Sequence, residues 1–66
     1  MNKKFTINCH IQVSEDDVWD YLDYEEGKDI EELKAEGYRL TYYDWKNTAE
    51  WKFENNDFYF DDIVED

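Results

Sequence analysis

Apolar and polar residues alternate strictly near the start of the chain. Every second position holds an apolar side chain, namely Phe5, Ile7, Cys9, Ile11 and Val13. A period of two places successive side chains on opposite faces of an extended strand. The pattern therefore predicts a β-strand over residues 5 to 13 with one buried face.

A helix signature follows this strand. Ser14 offers an N-cap oxygen, and Asp17 stands three residues later in the capping-box position. Val18 and Leu22 then fall on one side of a helix, which the pattern predicts to continue through about Tyr24.

A second, shorter helix is predicted beyond Gly27. Asp29 and Glu32 repeat the cap spacing just ahead of the next apolar positions. Gly37 is suited to the left-handed conformation that ends many helices, so this helix should run to Glu36.

The second half of the chain has the composition of strands. Residues 38 to 45 are rich in aromatic side chains, and Lys46-Asn47 resembles a turn. Ala49, Trp51 and Phe53 alternate with charged residues. We expect these segments to form a β-hairpin with Trp51 and Phe53 in its core.

The chain ends in an acidic segment. Asn55-Asn56 tolerates a tight turn, after which Phe58 and Phe60 mark a third strand of the meander, the alternative being a loose tail over residues 61 to 66. The expected fold is a single α+β domain over residues 1 to 66, with a small single-layer antiparallel sheet packed by one or two short helices. Its predicted order is β-α-α-β-β(-β).

Aromatic residues make up 20% of this short chain. Such large side chains help a 66-residue domain to fold in spite of its charge. A core of this size cannot hide all thirteen rings, so some should lie at the surface as anchors for a partner or a second subunit. A homodimer is one way to cover them.

Negative charge is segregated along the sequence. The net charge is −12; residues 14 to 36 hold eleven acidic groups against two lysines, and residues 54 to 66 hold six against none. Such a field repels phosphate backbones and anionic lipid and attracts basic surfaces. Direct nucleic-acid binding and membrane binding are therefore disfavoured, and a basic nucleic-acid-binding protein is the expected partner.

The residue types and their spacing do not favour a catalytic site or a metal site. Cys9 and His10 are neighbours on the predicted strand, where they point to opposite faces, so a buried cysteine and a solvated histidine are expected in place of a dyad. One Cys and one His do not make a zinc site, the acidic runs lack calcium-loop spacing, and two glycines do not make a phosphate loop. We expect no enzyme activity, no cofactor and no metal, and a cytoplasmic location because nothing resembles a signal or transmembrane segment.

Spacing singles out one set of acidic residues. Asp16, Asp20 and Asp23 fall at i, i+4 and i+7, opposite Val18 and Leu22. Like charges at these offsets destabilise a helix. The stripe is therefore a candidate for a binding role, although a merely soluble surface is the simpler interpretation. The full predicted partner-binding set is Asp16, Asp20, Asp23, Glu25, Glu26, Glu32, Glu36, Asp57, Asp61 and Asp62 with the aromatic anchors Trp19, Tyr24, Tyr43 and Tyr59.

The leading hypothesis is an inhibitor that mimics nucleic acid. Its carboxylates would occupy the cationic groove of a nuclease, restriction enzyme, repair enzyme or RNA-guided effector, as phage anti-restriction and anti-CRISPR proteins do as a functional class. Two alternatives remain open, which are an antitoxin or immunity protein that neutralises a basic toxin, and a homo-oligomeric structural or assembly protein. The AT-rich amino-acid usage favours a low-GC bacterium or its phage as the source, and the phage's host cytoplasm as the site of action.

Overall fold

The computed structural model describes residues 1–66, which form two strands and three helices. In chain order these are β1 (Phe5–His10), α1 (Glu15–Tyr24), α2 (Ile30–Ala35), α3 (Tyr42–Glu54) and β2 (Tyr59–Glu65). The predicted α+β class is confirmed, with the order β-α-α-α-β in place of β-α-α-β-β. The molecule measures 58 × 16 × 15 Å, because a helical body and a two-stranded ribbon lie end to end.

The first two helices begin and end where the sequence predicts. Ser14 accepts a hydrogen bond from the Asp17 backbone N–H, and the Asp17 side chain accepts one from the Ser14 backbone N–H, which completes the capping box. Asp29 caps α2 by accepting a hydrogen bond from the Glu32 backbone N–H, without a reciprocal bond to the Glu32 side chain. Gly37 follows α2 with φ +75°, a conformation that glycine adopts without steric cost.

The predicted hairpin over residues 38–53 is wrong, because most of that segment is helix α3. Thr41 and Asp44 form a second capping box at the start of this helix. No glycine or proline interrupts residues 38 to 54, so nothing stops the helix where Lys46-Asn47 was expected to turn. The aromatic residues that suggested strands lie instead around a helix, with Thr48 on its buried side.

The core of the helical body is small. Val18 and Leu22 of α1 are its only fully buried apolar residues, and Thr48 of α3 is buried beside them. Helix α1 packs against both α3 and α2, whereas neither strand packs against a helix. Trp51 is half-buried between helices, where its ring lies 5.7 Å from that of Tyr21.

The two strands pair in antiparallel fashion and form the ribbon. Ile7 lies opposite Ile63, and a bulge at Asp61 separates the pairs Asn8↔Asp62 and Cys9↔Phe60. Every residue of both strands is exposed, so the predicted buried face of the first strand, and the buried position of Cys9, are wrong. The acidic end forms β2 and is not a loose tail.

Lys52 joins the body to the root of the ribbon. Its ammonium group donates to the Gln12 carbonyl at 2.6 Å and to the Asp17 carboxylate at 2.9 Å, and lies 3.5 Å from Asp57. The hydrogen bond to Asp17 raises the pKa of Lys52. The Ser14 backbone N–H and then the Lys52 ammonium lower the pKa of Asp17. This group of contacts, the Lys52 clasp, holds the segments that enter and leave the ribbon.

Candidate protein-binding face

One side of the helical body presents the acidic stripe that the sequence predicts. Asp16, Asp20 and Asp23 are all exposed on α1, opposite the buried Val18 and Leu22. The three carboxylates line an open depression of about 480 Å³ between α1 and α2. They form the acidic face of the molecule, and none of them has a cationic side chain within 4.0 Å.

Trp19 forms the apolar floor of this depression. Its ring contacts Tyr38 edge-on at a centroid distance of 6.4 Å, and the Lys34 ammonium lies 5.0 Å from its centroid. The ring is half-buried by these contacts. Trp19 therefore helps to hold α2 against α1, and only part of its surface can meet a partner.

Most carboxylates of the chain have no internal ion partner. Four of the nineteen lie within 4.0 Å of a Lys or His nitrogen, and these are Asp17, Asp57, Asp61 and Glu65. The other fifteen carboxylates are not neutralised within the molecule. Among the predicted site residues outside α1, three belong to this group and also make no side-chain hydrogen bond within the protein, namely the exposed Glu26, Glu32 and Glu36.

The remaining predicted acidic residues have partners inside the protein. Asp61 lies 2.7 Å from Nδ1 of His10, Asp62 accepts from the Asn8 amide at 2.7 Å, and Asp57 belongs to the Lys52 clasp. Glu25 accepts a hydrogen bond from the Trp51 indole at 3.0 Å. These four carboxylates stabilise the ribbon and the body, and they lie apart from the depression.

The aromatic anchors are divided between two regions. Tyr24, at the end of α1, is 76% exposed and continues the acidic face. Tyr43 lies on α3, where its ring contacts that of Tyr42, a strongly exposed residue that the sequence analysis missed because it assigned this segment to a strand. Tyr59 stacks on His10 in the ribbon at a centroid distance of 5.4 Å.

The one buried carboxylate has a structural role. Asp44 accepts hydrogen bonds from the Thr41 backbone N–H and, at 2.7 Å, from the Tyr38 hydroxyl. Burial alone would raise the pKa of Asp44, but these donors outweigh it and lower the pKa. The hydrogen bond to Asp44 correspondingly raises the pKa of Tyr38. Both hydrogen bonds reach the same carboxylate oxygen, Oδ2, and through them Asp44 fixes the start of α3.

The structure shows neither a metal centre nor a membrane-spanning helix. No three of the His, Cys, Asp and Glu side chains converge in a geometry that could hold a metal ion. None of the three helices has the length and apolar character needed to cross a membrane. Comparisons with protein-family models, curated proteins and solved structures found no match to this chain. The interpretation of the acidic face therefore depends on its geometry and charge.

Proposed function

We propose that this chain is an inhibitory protein that binds a basic nucleic-acid-binding protein and occupies the groove meant for nucleic acid. The observation that carries the proposal is the acidic face, where Asp16, Asp20 and Asp23 stand exposed and unpaired along one helix. Their Cα atoms are separated by about 4.5–6 Å along the helix axis. Phosphates repeat at about 3.4 Å along one strand of duplex DNA.

The shape of the molecule supports the same proposal. A net charge of −12 over a length of 58 Å is about one net negative charge per 5 Å. This linear density approaches that of one nucleic-acid strand, whose charges repeat every ~3.4 Å. The charge is concentrated in the narrow helical body, where residues 11–58 carry −10, and this acidic body fits a groove that Arg and Lys line for a nucleic-acid backbone.

Free carboxylates are the groups that such a groove would recognise. Arg and Lys that neutralise phosphates form charge-assisted hydrogen bonds equally well with carboxylates. The partner of the acidic face would desolvate Tyr24 and the exposed part of Trp19, which supplies apolar contact beside the charges. Association would be fast and sensitive to salt, because the long-range attraction is screened by ions.

The first experiment identifies the target. Tagged protein is incubated with bacterial lysate, washed at low and then at high salt, and the recovered proteins are identified by mass spectrometry. We expect a nucleic-acid enzyme that salt, or competing DNA or RNA, releases from the column. The recovered enzyme is then purified, and displacement of a labelled oligonucleotide from it by this chain measures the inhibition directly.

A pair of variants with equal charge tests the location of the site. Asp20→Asn with Asp23→Asn removes two charges from the acidic face, while Glu50→Gln with Glu54→Gln removes two from the exposed side of α3. None of these four carboxylates belongs to an ion pair. We expect the first variant to weaken displacement at least tenfold, chiefly through a slower association rate, and the second to weaken it much less. Equal losses would mean that total charge acts without a defined site.

A further inference from the structure

The ribbon presents an apolar face that nothing in the molecule covers. Paired residues of an antiparallel ribbon share a face, so the register places one set of apolar side chains together. This set, the ribbon's apolar face, consists of Phe5, Ile7, Cys9, Phe60 and Ile63, and Glu65 lies opposite Phe5 at the outer end of the face, where it pairs with Lys3. Its four large members are between 55% and 64% exposed.

The opposite face of the ribbon is mainly polar, with Val64 as its one aliphatic residue, and its polar side chains are hydrogen-bonded. Thr6 donates to Asp66, Asn8 donates to Asp62, and His10 contacts Asp61 and Tyr59. Water can solvate these polar groups, so this face does not require burial against another layer. The contrast between the two faces shows that the ribbon is amphipathic, with a single side suited to burial.

The apolar face continues toward the helical body through aromatic contacts. Phe60 lies 5.2 Å from Phe58 between ring centroids, and Phe58 lies 5.1 Å from Phe53 near the end of α3. Phe53 is itself half-exposed. The apolar surface therefore extends from the ribbon onto the end of the body.

An isolated two-stranded ribbon is only marginally stable in water. Here no tight turn joins the strands, and neither strand packs against a helix. Cross-strand contacts and the Lys52 clasp at its root are what support it, and a second layer on its apolar face would add the missing burial.

The distribution of charge along the chain indicates that the second layer is another copy of the same protein. Residues 11–58 carry a net charge of −10, whereas residues 1–10 and 59–66 together carry −2 with four acidic groups and two lysines. Two copies of the chain would repel each other strongly if their bodies met. The ribbon is the one region where two copies can approach at little electrostatic cost.

The available area agrees with a small homodimer interface. Each large side chain of the apolar face leaves roughly 100 Å² exposed, so one copy offers about 400 Å². Two copies would bury about 800 Å² from these side chains, and rim contacts such as Phe53 bring the total near the ~1,000 Å² of a specific interface. We propose that two copies of this chain dimerise by packing the apolar faces of their ribbons together, with the acidic bodies held apart.

A pair of adjacent substitutions tests this dimer. Ile63→Asp puts a charge in the apolar face, while Val64→Asp puts the same charge on the polar face of the same strand. Sedimentation equilibrium over a wide concentration range should give twice the 8.2 kDa chain mass for the natural sequence and for Val64→Asp. Ile63→Asp should remain monomeric at concentrations at least tenfold higher. A natural chain that stays monomeric, or equal dissociation of both variants, would overturn the proposal.

Cys9 gives a second readout that needs no substitution. It is exposed in the single chain and belongs to the apolar face. Its alkylation by iodoacetamide should slow several-fold as concentration rises through the dimerisation range, and high salt should leave that protection in place. A rate independent of concentration would refute the dimer even if Ile63→Asp failed to fold. Masses beyond two copies would show edge-to-edge pairing of ribbons and would also refute it.

Discussion

The helical body and the ribbon obtain their stability in opposite ways. The body buries Val18 and Leu22 and fixes its helix starts with capping boxes, in spite of a net charge of −10 over residues 11–58. The ribbon buries none of its residues, yet it carries little net charge and one mainly apolar face. Charge therefore accumulates where a core can withstand the repulsion, and apolar surface remains exposed where repulsion is weak.

Truncating one large side chain in each region should lower stability much more in the helical body than in the ribbon. Leu22→Ala is expected to lower the free energy of unfolding by about 3 kcal/mol, since it leaves a cavity in a very small core. Ile7→Ala should cost less than about 1 kcal/mol at concentrations where the chain is monomeric, because its site is already solvated. Urea denaturation followed by circular dichroism measures both. Similar losses would mean that the ribbon belongs to the same cooperative core.

The Lys52 clasp should give the next largest effect. Lys52→Met keeps most of the aliphatic side chain but removes the ammonium group, and we expect a loss of about 2 kcal/mol from the hydrogen bonds to Asp17 and Gln12. Lys46→Met is the matched control, because Lys46 is exposed on the same helix and forms no ion pair. Hydrogen exchange should also show faster opening of β1 and β2 in Lys52→Met alone. If hydrogen exchange in β1 and β2 were unchanged, the Lys52 clasp would not stabilise the ribbon.

Acid should weaken the body through Asp17 and Asp44, whose pKa values are lowered in the folded protein. A lowered pKa gives stability that is complete above the unfolded value of about 4 and is lost as pH falls through the folded value. Asp44→Asn should therefore cost about 1 kcal/mol at neutral pH, and the difference from the natural chain should vanish in strong acid. Urea midpoints across the acid range measure this difference. Tyr38→Phe removes one donor to Asp44 and should reduce the part of the unfolding free energy that depends on pH. If the difference between Asp44→Asn and the natural chain were the same at every pH, the Asp44 carboxylate would not be the source of the acid sensitivity.

The smallest expected effect is a gain in stability on the acidic face. Replacing Asp16, Asp20 and Asp23 with Asn relieves repulsion worth about 0.2–0.5 kcal/mol for each neighbouring pair at low salt. Thermal unfolding at low and high salt should show the gain shrinking as ions screen the charges. If stability fell instead, the three carboxylates would be structural and the comparison of body with ribbon would lose its electrostatic basis.

Local signals determined how much of the fold could be predicted. Ser14 with Asp17, and Asp29 with Glu32, correctly marked two helices because a cap acts through residues three positions apart. Thr41 and Asp44 carry the same signal, but the aromatic composition of residues 38 to 45 led to the prediction of a strand there. Recognition of this cap signal would have replaced the predicted hairpin with α3.

Non-local contacts account for what the sequence could not reveal. The exposure of Asp16, Asp20 and Asp23 followed from helix periodicity alone. The partners of Asp61 and Asp62 did not, since His10 and Asn8 lie about fifty residues away in the chain. Alternation correctly placed Ile7 and Cys9 on one face of a strand, but it carries no information on whether another layer covers that face.

The Lys52 clasp has a consequence for the order of folding. Pairing of β1 with β2 joins residues up to sixty positions apart, and closing so long a loop is slow. The helices require only local contacts, and once α1 and α3 have docked, Lys52 tethers Gln12 to Asp57 beside the end of β1 and the start of β2. From then on the strands can zip together from that end as a short hairpin does, with the whole helical body acting as its turn.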